Sequence, residues 1–558
     1  MSAAIAYEWN ALPWRELEGR VFKLQKRIYR ASQRGEVKTV HRLQKLLTSS
    51  WSARCLAVRR VTQDNQGKKT AGIDGVKSLN PRERLTLVKD LNLKRKPTAV
   101  RRVWIPKPGK IEKRPLGIPV MHDRAAQTLV RMTLEPEWEA KFEANSYGFR
   151  PGRCTQDAIA AIYQAIGKKP KWVLDADIAQ CFDRINHQRL LAKLQTYPAM
   201  RKLIKSWLKA GGFDNGEPFT TDAGTPQGGA ISPLLANIAL HGMEQRIENY
   251  ALTLKGKRRS NKQALRVIRY ADDLVLLHES LEVVQQCQQI LQDWLGKMGL
   301  ELKPSKTRIT HTLEGEQPGF DFLGFNIRQY KVGKHQSGKE AHGGILGFKT
   351  LIKPAKDASK SHMLEIAGII KRHRIASQGA LMEKLEPVIG GWSNYYKTVC
   401  SAKIYSTCDH QLWQKLWRWA TRRHHNKSSR WVAQKYWQTK GGRQWIFGTQ
   451  DHLLRTHRDT KISRHVKVKG LRSPYDGDQV YWGQRLQKYP TLSKRKVTLL
   501  KRQCGKCAFC GAFFKDRDLL EIDHIVPRRF GGKEQYSNWQ LLHRHCHDSK
   551  HSTRTGLV

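Results

Sequence analysis

The sequence predicts a multidomain α+β protein, and three observations predict it. The chain has 558 residues, more than one core supports, so three or more domains are expected. From about 100 to 330, strand-like runs such as KWVLDADI (171–178) and RVIRYADDLVLL (266–277) alternate with helical stretches such as 281–298, and from about 360 to 438 the pattern is helical. Cysteines and histidines then crowd into 504–551 with metal-ligand spacing.

The elements follow in order. Residues 14–60 read as two helices: Leu17, Val21, Leu24 and Ile28 mark one stripe, and Val37, Val40, Leu43, Leu47 and Trp51 mark another, with Gly35 between them. TAGIDG (70–75) is a glycine-punctuated loop, and 335–360, rich in Gly and Lys, also reads as loop. Leu412, Leu416 and Ala420 recur at i, i+4 and i+8, flanked by Trp413 and Trp417, as the core stripe of a helix. Residues 440–500 are basic and weakly periodic.

Lys+Arg number 101 against 48 Asp+Glu, a formal net charge of +53 spread along the whole chain. Such self-repulsion disfavours compaction unless a polyanion offsets it, so nucleic acid is the expected partner, through phosphate neutralisation and counterion release. Six of the ten cysteines are scattered (Cys55, Cys154, Cys181, Cys287, Cys400, Cys408), and three of the others form C-x-x-C-x-x-C. That pattern reads as a reduced compartment with one metal site, not a disulfide framework. MSAAIAYEWN lacks a basic segment followed by an apolar core, and no apolar run approaches about 18 residues, so neither a secretion signal nor a membrane span is expected.

RYADDLVLLH (269–278) sets two adjacent carboxylates, Asp272 and Asp273, in an apolar stretch. A hairpin turn is the plain alternative, although Asp-Gly or Asn-Gly is the pair expected there. VLDADIAQCFD offers Asp175, Asp177 and Asp183 as partners on a second strand. Phosphoryl transfer gives both strands a purpose, because two divalent ions about 3.5–4 Å apart clamp the attacking and leaving oxygens of an in-line displacement. Carboxylates suit such hard cations, and the cations remove the repulsion between gathered acids.

Tyr270-Ala271-Asp272-Asp273 resembles the hallmark tetrapeptide of reverse transcriptases, and further blocks stand in that family's order: IPKPGKIEKRPLGIP (105–119), YGFRPGRCTQDAI (147–159), DADIAQCFDRINH (175–187), GTPQGGAISPLLANIAL (224–240), GLELKPSKTRI (299–309) and GFDFLGF (319–325). They resemble in particular the reverse transcriptases encoded by bacterial and organellar group II introns, and TAGIDG fits that group's N-terminal extension. The resemblance implies a right-hand polymerase with fingers and palm, in the bacterial cytoplasm rather than an organelle. Carried over by position, Asp177 and Asp272 are the principal magnesium ligands and Asp273 the third acid. Phe182 matches the steric gate that excludes a ribose 2′-hydroxyl and so favours dNTPs; a core aromatic is its other reading. Gln227 lies against the incoming nucleotide. Arg114, with Lys107 or Lys110, meets the triphosphate, arginine being suited to bidentate phosphate contact; for the two lysines a solvated loop is the other reading. Asp183 is read as structural.

GGWSNYYKTVCSAKIY and LWQKLWRWATRRHHNKSSRWVAQKYW interleave tryptophans with Arg, Lys and His, and Trp445 follows closely. Stacking plus phosphate contact is the chemistry of RNA binding, while a helical bundle with an aromatic core needs the same residues. Both hold if Trp413 and Trp417 pack inward while Arg418, Arg422 and Arg423 face RNA. GWSNYY and RRHHNKS resemble the maturase or thumb domain of the intron-encoded proteins, with His425 where that element usually has proline.

Near the C-terminus, Cys507-x-x-Cys510 pairs with His543-x-x-Cys546 as a tetrahedral zinc site whose halves are 32 residues apart. Cys504-x-x-Cys507 is the competing register. Asp523-His524, Asn538 and His547 resemble an HNH nuclease of the ββα-metal type. That resemblance makes His524 the general base, gives Asp523 and His547 one catalytic divalent ion, and has Asn538 orient the loop carrying His524. A neutral histidine near its ordinary pKa takes a proton at physiological pH. A purely structural zinc knuckle is the alternative.

The expected division is an N-terminal helical extension (1–100), polymerase fingers and palm (101–335), thumb or maturase domain (336–440), a basic DNA-binding region (441–500), for which a disordered tether is the other reading, and the HNH module (501–558). The implied partners are group II intron RNA, double-stranded target DNA and dNTPs, with no membrane and no indication of oligomeric state. Two rivals are a splicing cofactor with polymerase remnants, which the intact Asp177, Asp272 and Asp273 argue against, and a reverse transcriptase recruited to host defence, which the maturase-like and HNH segments argue against.

Overall fold

The computed structural model describes residues 8–106, 112–340, 342–440, 442–489, 492–515 and 518–552. Residues 14–60 hold three helices, Trp14–Gln33, Val37–Ser49 and Trp51–Arg59, where the apolar stripes predict two. Ser50 breaks the second stripe in an extended conformation, and Trp51 is 40% exposed instead of continuing it. The last of the three runs into a π-helical turn, Arg60–Asp64.

These helices pack on the helix Met121–Glu139, which is buried along nearly its whole length. Their apolar residues share one core with the helices His187–Leu194 and Ser232–Leu240 and with the inner face of a sheet. Each fully buried Leu or Ile in that core contributes about 1.5–3 kcal/mol.

Among the described residues up to 447 there are four sheets. β1 (Val100–Pro106), β2 (Lys113–Ile118), β4 (Gly212–Asp214) and β5 (Glu217–Phe219) run in the order β2-β1-β4-β5, while β3 (Trp172–Asp177) belongs to another sheet with β6 (Arg266–Tyr270), β7 (Asp273–His278) and β8 (Arg308–His311) in the order β6-β7-β3-β8. β6, β7, β3 and β8 pair antiparallel throughout. RVIRYADDLVLL is therefore a hairpin of two strands, not one.

β9 (Phe320–Phe322), β10 (Phe325–Lys331) and β11 (Phe348–Pro354) form the third sheet. β11 falls inside the expected 335–360 loop, because Phe348 and Ile352 bury against this sheet despite their Gly/Lys-rich surroundings. Helices Lys356–Arg372, Gln378–Tyr396, Ala402–Arg423 and Ser429–Tyr436 follow, with Leu412, Leu416 and Ala420 buried in their shared core. β12 (Trp437–Lys440) and β13 (Arg443–Phe447) close that bundle as a hairpin.

The described residues of 442–489 are not a loose tether. Asp157, fully buried, accepts bonds from Arg485 (2.6 and 2.7 Å), the Val468 amide (2.9 Å) and His465 (2.9 Å). Tyr475 donates to Glu135 at 2.8 Å, and Trp482 packs so close to Gly152 that a Cβ there would lie 2.3 Å from its ring.

The C-terminal module comprises β14 (Leu520–His524), β15 (Trp539–His543) and the helix Arg544–Ser552. It docks on the N-terminal helices through Arg59. That side chain is 4% exposed and binds Glu18 at 2.7 Å and Asp64 at 3.3 Å, with His545 Nε2 3.5 Å away. Lys515 reaches Glu18 at 3.4 Å, and Gln63 donates to Asp548 at 3.2 Å. Burial alone would raise the Glu18 carboxyl, but Lys515 and Arg59 hold it well below the usual range. Removing one partner of such a pair leaves a buried charge uncompensated. Arg59→Leu is therefore expected to cost about 3–5 kcal/mol in urea unfolding and to speed hydrogen exchange in both 14–64 and 520–552. Wild-type exchange in the second segment would show that the module is held elsewhere.

Candidate functional site

The acids gather because the β6–β7 hairpin has a two-residue loop. Tyr270 pairs with Asp273, leaving Ala271 and Asp272 at the turn. Ala271 has φ +57°, a left-handed conformation uncommon outside glycine but required at the first loop residue of a type II′ hairpin. Buried Arg269 grips the turn from behind, donating to Ala271 O and Asn237 Oδ1 at 3.0 Å each and to Ser146 Oγ at 2.7 Å. Gly148 closes the other side, where a Cβ would stand 2.3 Å from the Ala271 nitrogen. The sequence reading gave no role to Arg269 or Gly148, although both stand inside stretches it singled out, RYADDLVLLH and YGFRPGRCTQDAI.

On β3, Asp177 stands opposite Asp273 in register, and the Ile178 amide donates to Asp272 O at 3.1 Å. Burial raises the Asp272 and Asp273 carboxyls, and repulsion among the acids adds to it, carrying Asp273 to about 7. Lys306, from the GLELKPSKTRI block, is hydrogen-bonded to Asp177. Burial would lower this ammonium, yet Asp177, Asp273 and Asp272 raise it. A positive charge thus sits where the acids demand one, and an all-carboxylate donor set suits a hard divalent ion. Asp175, two residues earlier, is tied to Arg308 at 3.2 Å.

Phe182 lies half-buried beyond β3, edge-on to exposed Phe149 at 6.0 Å. Gln227 is bound to Asp183, its amide donating to both carboxylate oxygens at 3.0 and 3.2 Å. Arg114, exposed on β2, lies close enough that its charge lowers both Asp183 and Asp272 against the larger effect of burial. Lys107 and Lys110 lie outside the described residues.

In the helical segment, Arg418 and Arg422 are exposed. Arg423 is not turned outward: it donates to Arg374 O and Ala376 O at 2.9 and 2.8 Å and covers the Trp419 ring at 4.5 Å. Those carbonyls lie in the connection between the helices Lys356–Arg372 and Gln378–Tyr396, which Arg423 ties to the end of its own helix.

Among the described residues, three groups of His, Cys, Asp or Glu bring their ligand atoms within 4.8 Å of one another. The polymerase-motif aspartates are not one of them: their carboxylate oxygens do not all come within that distance, and Asp177 is hydrogen-bonded to Lys306. The first group is Cys507, Cys510, His543 and Cys546, a three-sulfur, one-nitrogen set suited to zinc; Cys504 is exposed and outside it. His543 offers Nδ1, 3.4 Å from Cys510 Sγ, and turns Nε2 to Asp518 at 3.3 Å. A carboxylate behind a ligating imidazole fixes its tautomer.

The second group is Asp523, His547 and His551. The reading of the sequence missed His551, although its i, i+4 spacing from His547 puts both on one helix face. Asp523 also accepts from Gln540 (2.8 Å) and Lys550. Burial would raise its carboxyl, but Lys550, Gln540 and His551 hold it below the ordinary value. His524 Nε2 lies 2.9 Å from Glu534 Oε1 and 3.2 Å from Trp539 Nε1. Asn538 staples the loop after His524, accepting from the Val526 amide (2.8 Å) and donating to Val526 O and Lys533 O (3.0 Å each).

The third group, Cys154, Asp157 and His465, is the node that anchors 442–489; Arg485 already neutralises its carboxylate.

Four family descriptions match the chain in order: N-terminal domain of reverse transcriptase (9–91), reverse transcriptase (RNA-dependent DNA polymerase) (105–327), group II intron maturase-specific domain (359–437) and HNH endonuclease (507–553). Protein YkfC of Escherichia coli K12 is 32% identical over 330 residues, 52% of this chain and 83% of that protein. The group II intron-encoded protein LtrA of Lactococcus lactis is 31% identical over 325 residues, 48% of this chain and 53% of LtrA, so the aligned part spans about half of that relative. An uncharacterized 91 kDa protein in a cob intron of Schizosaccharomyces pombe is 29% identical over 358 residues, 53% of this chain and 43% of that protein. The chain therefore belongs to the group II intron-encoded proteins, as a multifunctional member that joins an RNA-directed DNA polymerase, a maturase domain and an HNH endonuclease.

Proposed function

We propose that this protein binds its own intron RNA, helps it splice, and copies it into DNA at a break made by its own nuclease. The observation that carries the reading is the register setting Asp177 against Asp273 with Asp272 on the adjoining turn. Asp177 and Asp272 hold magnesium, and Asp273 is the third acid. When bound, the two ions supply the charge that steadies the attacking 3′-oxygen and the departing pyrophosphate. Residues 101–335 serve as fingers and palm, 336–440 as thumb and maturase domain, 441–500 as a DNA-contacting region, 501–558 as the nuclease, and 1–100 as the extension that packs against the polymerase and nuclease parts.

The chain's own residues do the positioning. Phe182 bars a 2′-hydroxyl, and Arg114 meets the triphosphate. Gln227 lies along the nucleotide once it leaves Asp183. Lys306 neutralises Asp177 until a cation arrives.

In the nuclease, the zinc set is structural and Asp523, His547 and His551 hold one divalent ion. His524 removes a proton from water, its ring held at Nε2 by both Glu534 Oε1 and the Trp539 indole nitrogen. Nicking of one target strand then provides the primer end for cDNA synthesis. Cysteines free of disulfides and the two bacterial relatives support the bacterial cytoplasm as its location.

Incorporation of dNTPs on a primed RNA template tests the assignment; absence of synthesis by the intact protein with magnesium would leave only the splicing-cofactor reading. A second test uses stability. Because the folded protein holds the Asp273 proton more tightly than an unfolded chain does, stability without a divalent ion falls as pH rises from about 4 toward 7. Asp273→Asn is expected to raise the urea midpoint in magnesium-free buffer at pH 7.5 and to change it little at pH 4. An equal shift at both values would mean that the acid is not strained by its neighbours.

A further inference from the structure

Four tryptophans meet at one edge of the bundle. Trp413 and Trp417, one turn apart on the helix Ala402–Arg423, lie nearly parallel, 5.4 Å between centroids and 13° between planes. Trp437 of β12 packs beside them at 6.2 and 5.1 Å and is buried. Trp445 of β13 stands 6.3 Å from each of the helical pair, yet leaves 52% of its surface to solvent. A core tryptophan would sink further. Moreover, Trp445 has φ +59°, a genuine outlier for so bulky a side chain, so the hairpin bears a local cost where its indole is displayed.

The surroundings are one-sided in charge. From 402 to 447 the sequence holds ten Lys and Arg and a single acid, Asp409, whose carboxylate is taken by His457 at 2.6 Å. Arg418 and Arg422 are exposed on the same helix, about 100° or more round its axis from the stacked pair. Partly exposed indoles in so basic a segment match one ligand: a polyanionic strand whose bases are unpaired, so that their faces are free to stack. A duplex keeps its base faces covered and offers the indoles nothing to stack on.

We propose that Trp445, backed by Trp413, Trp417 and Trp437, is a stacking platform for unpaired bases of single-stranded nucleic acid. It rests on the reading of 336–440, which supplies three of the four tryptophans, as the RNA-binding maturase domain, and adds which part of the RNA is held: a loop or single strand, not a helix. Stacking alone does not distinguish ribose from deoxyribose, so both sources of unpaired bases enter the test.

The full-length protein is titrated, without dNTPs or added divalent ions, with labelled oligouridine, with oligodeoxythymidine and with a blunt-ended RNA duplex of equal length. Trp445→Ala is expected to weaken both single strands by about 5- to 150-fold. Trp445→Phe should restore most of that affinity, and the duplex should change little. The wild-type tryptophan fluorescence should fall as single strands bind. Unchanged single-strand affinity in Trp445→Ala, equal losses for duplex and single strands, or no single-strand binding by the wild type each overturns the platform. Dependence on oligouridine alone keeps the platform and assigns it to RNA. Wild-type affinity of Trp445→Ala for the whole intron RNA, alongside an oligonucleotide loss, separates the platform from the maturase reading, which fails only if intron RNA is not bound at all.

Discussion

Asp272→Ala is expected to abolish dNTP incorporation on a primed RNA template and to leave binding of intron RNA close to the wild-type level. The loss should be at least about 1000-fold, because metal clamping of a transferring phosphoryl group supplies several kcal/mol and each 1.36 kcal/mol is tenfold in rate. Asp272 sits on a two-residue loop whose backbone is fixed by Arg269 and Gly148, so truncating its side chain changes charge and leaves the turn in place. Its carboxyl is raised by burial and by Asp177, so removing it relieves repulsion and should not unfold the sheet. The exposed cations of the maturase segment, Arg418 and Arg422 among them, stand apart from this turn and are untouched by the substitution. Primer extension and filter binding on the same preparation decide the matter. Loss of splicing assistance by this variant, at normal protein levels, would contradict the separation of polymerase from maturase.

His524→Ala should stop nicking of the target strand while polymerase and splicing assistance persist. A positioned general base is worth about 100- to 10,000-fold. The side chain stands at the end of β14, where Asn538 pins the following loop by three hydrogen bonds that the substitution leaves intact. Zinc content and the melting curve should match the wild type, since the Cys507, Cys510, His543 and Cys546 set does not include His524. Persistent nicking would discredit its role as base. A supercoiled plasmid carrying the target site gives the rate, and a pre-nicked target should restore cDNA synthesis to the variant.

Much of this was legible because catalytic chemistry constrains residue identity at close spacing. The aspartates, the Cys/His pairs and the Asp523, His524, Asn538, His547 series stand in short motifs whose types their chemistry dictates, and the family descriptions match the segments that carry them. The second stripe was misread because hydrophobic periodicity does not register the extended Ser50 that starts a new helix. β11 hid among glycines and lysines because its partner, β10, supplies the burial that the strand's own sequence does not announce. Arg423 was expected to face RNA because a charge on a helix is read as solvated until neighbouring carbonyls claim it.

By itself the sequence determined the reactions: which acids, thiolates and imidazoles are present, in what order, and in how basic a chain. Those are local properties, set within a dozen residues by what each reaction needs. Only the tertiary structure decided what holds the reacting groups together. The antiparallel register brings Asp177 to Asp273, Lys306 arrives from a third segment to neutralise them, Arg59 locks the nuclease module onto helices more than 450 residues away in the chain, and β13, with a left-handed backbone at Trp445, leaves that indole half exposed. Burial, strand register and the pairing of distant charges depend on which surfaces meet, and no spacing along one strand of sequence encodes that meeting.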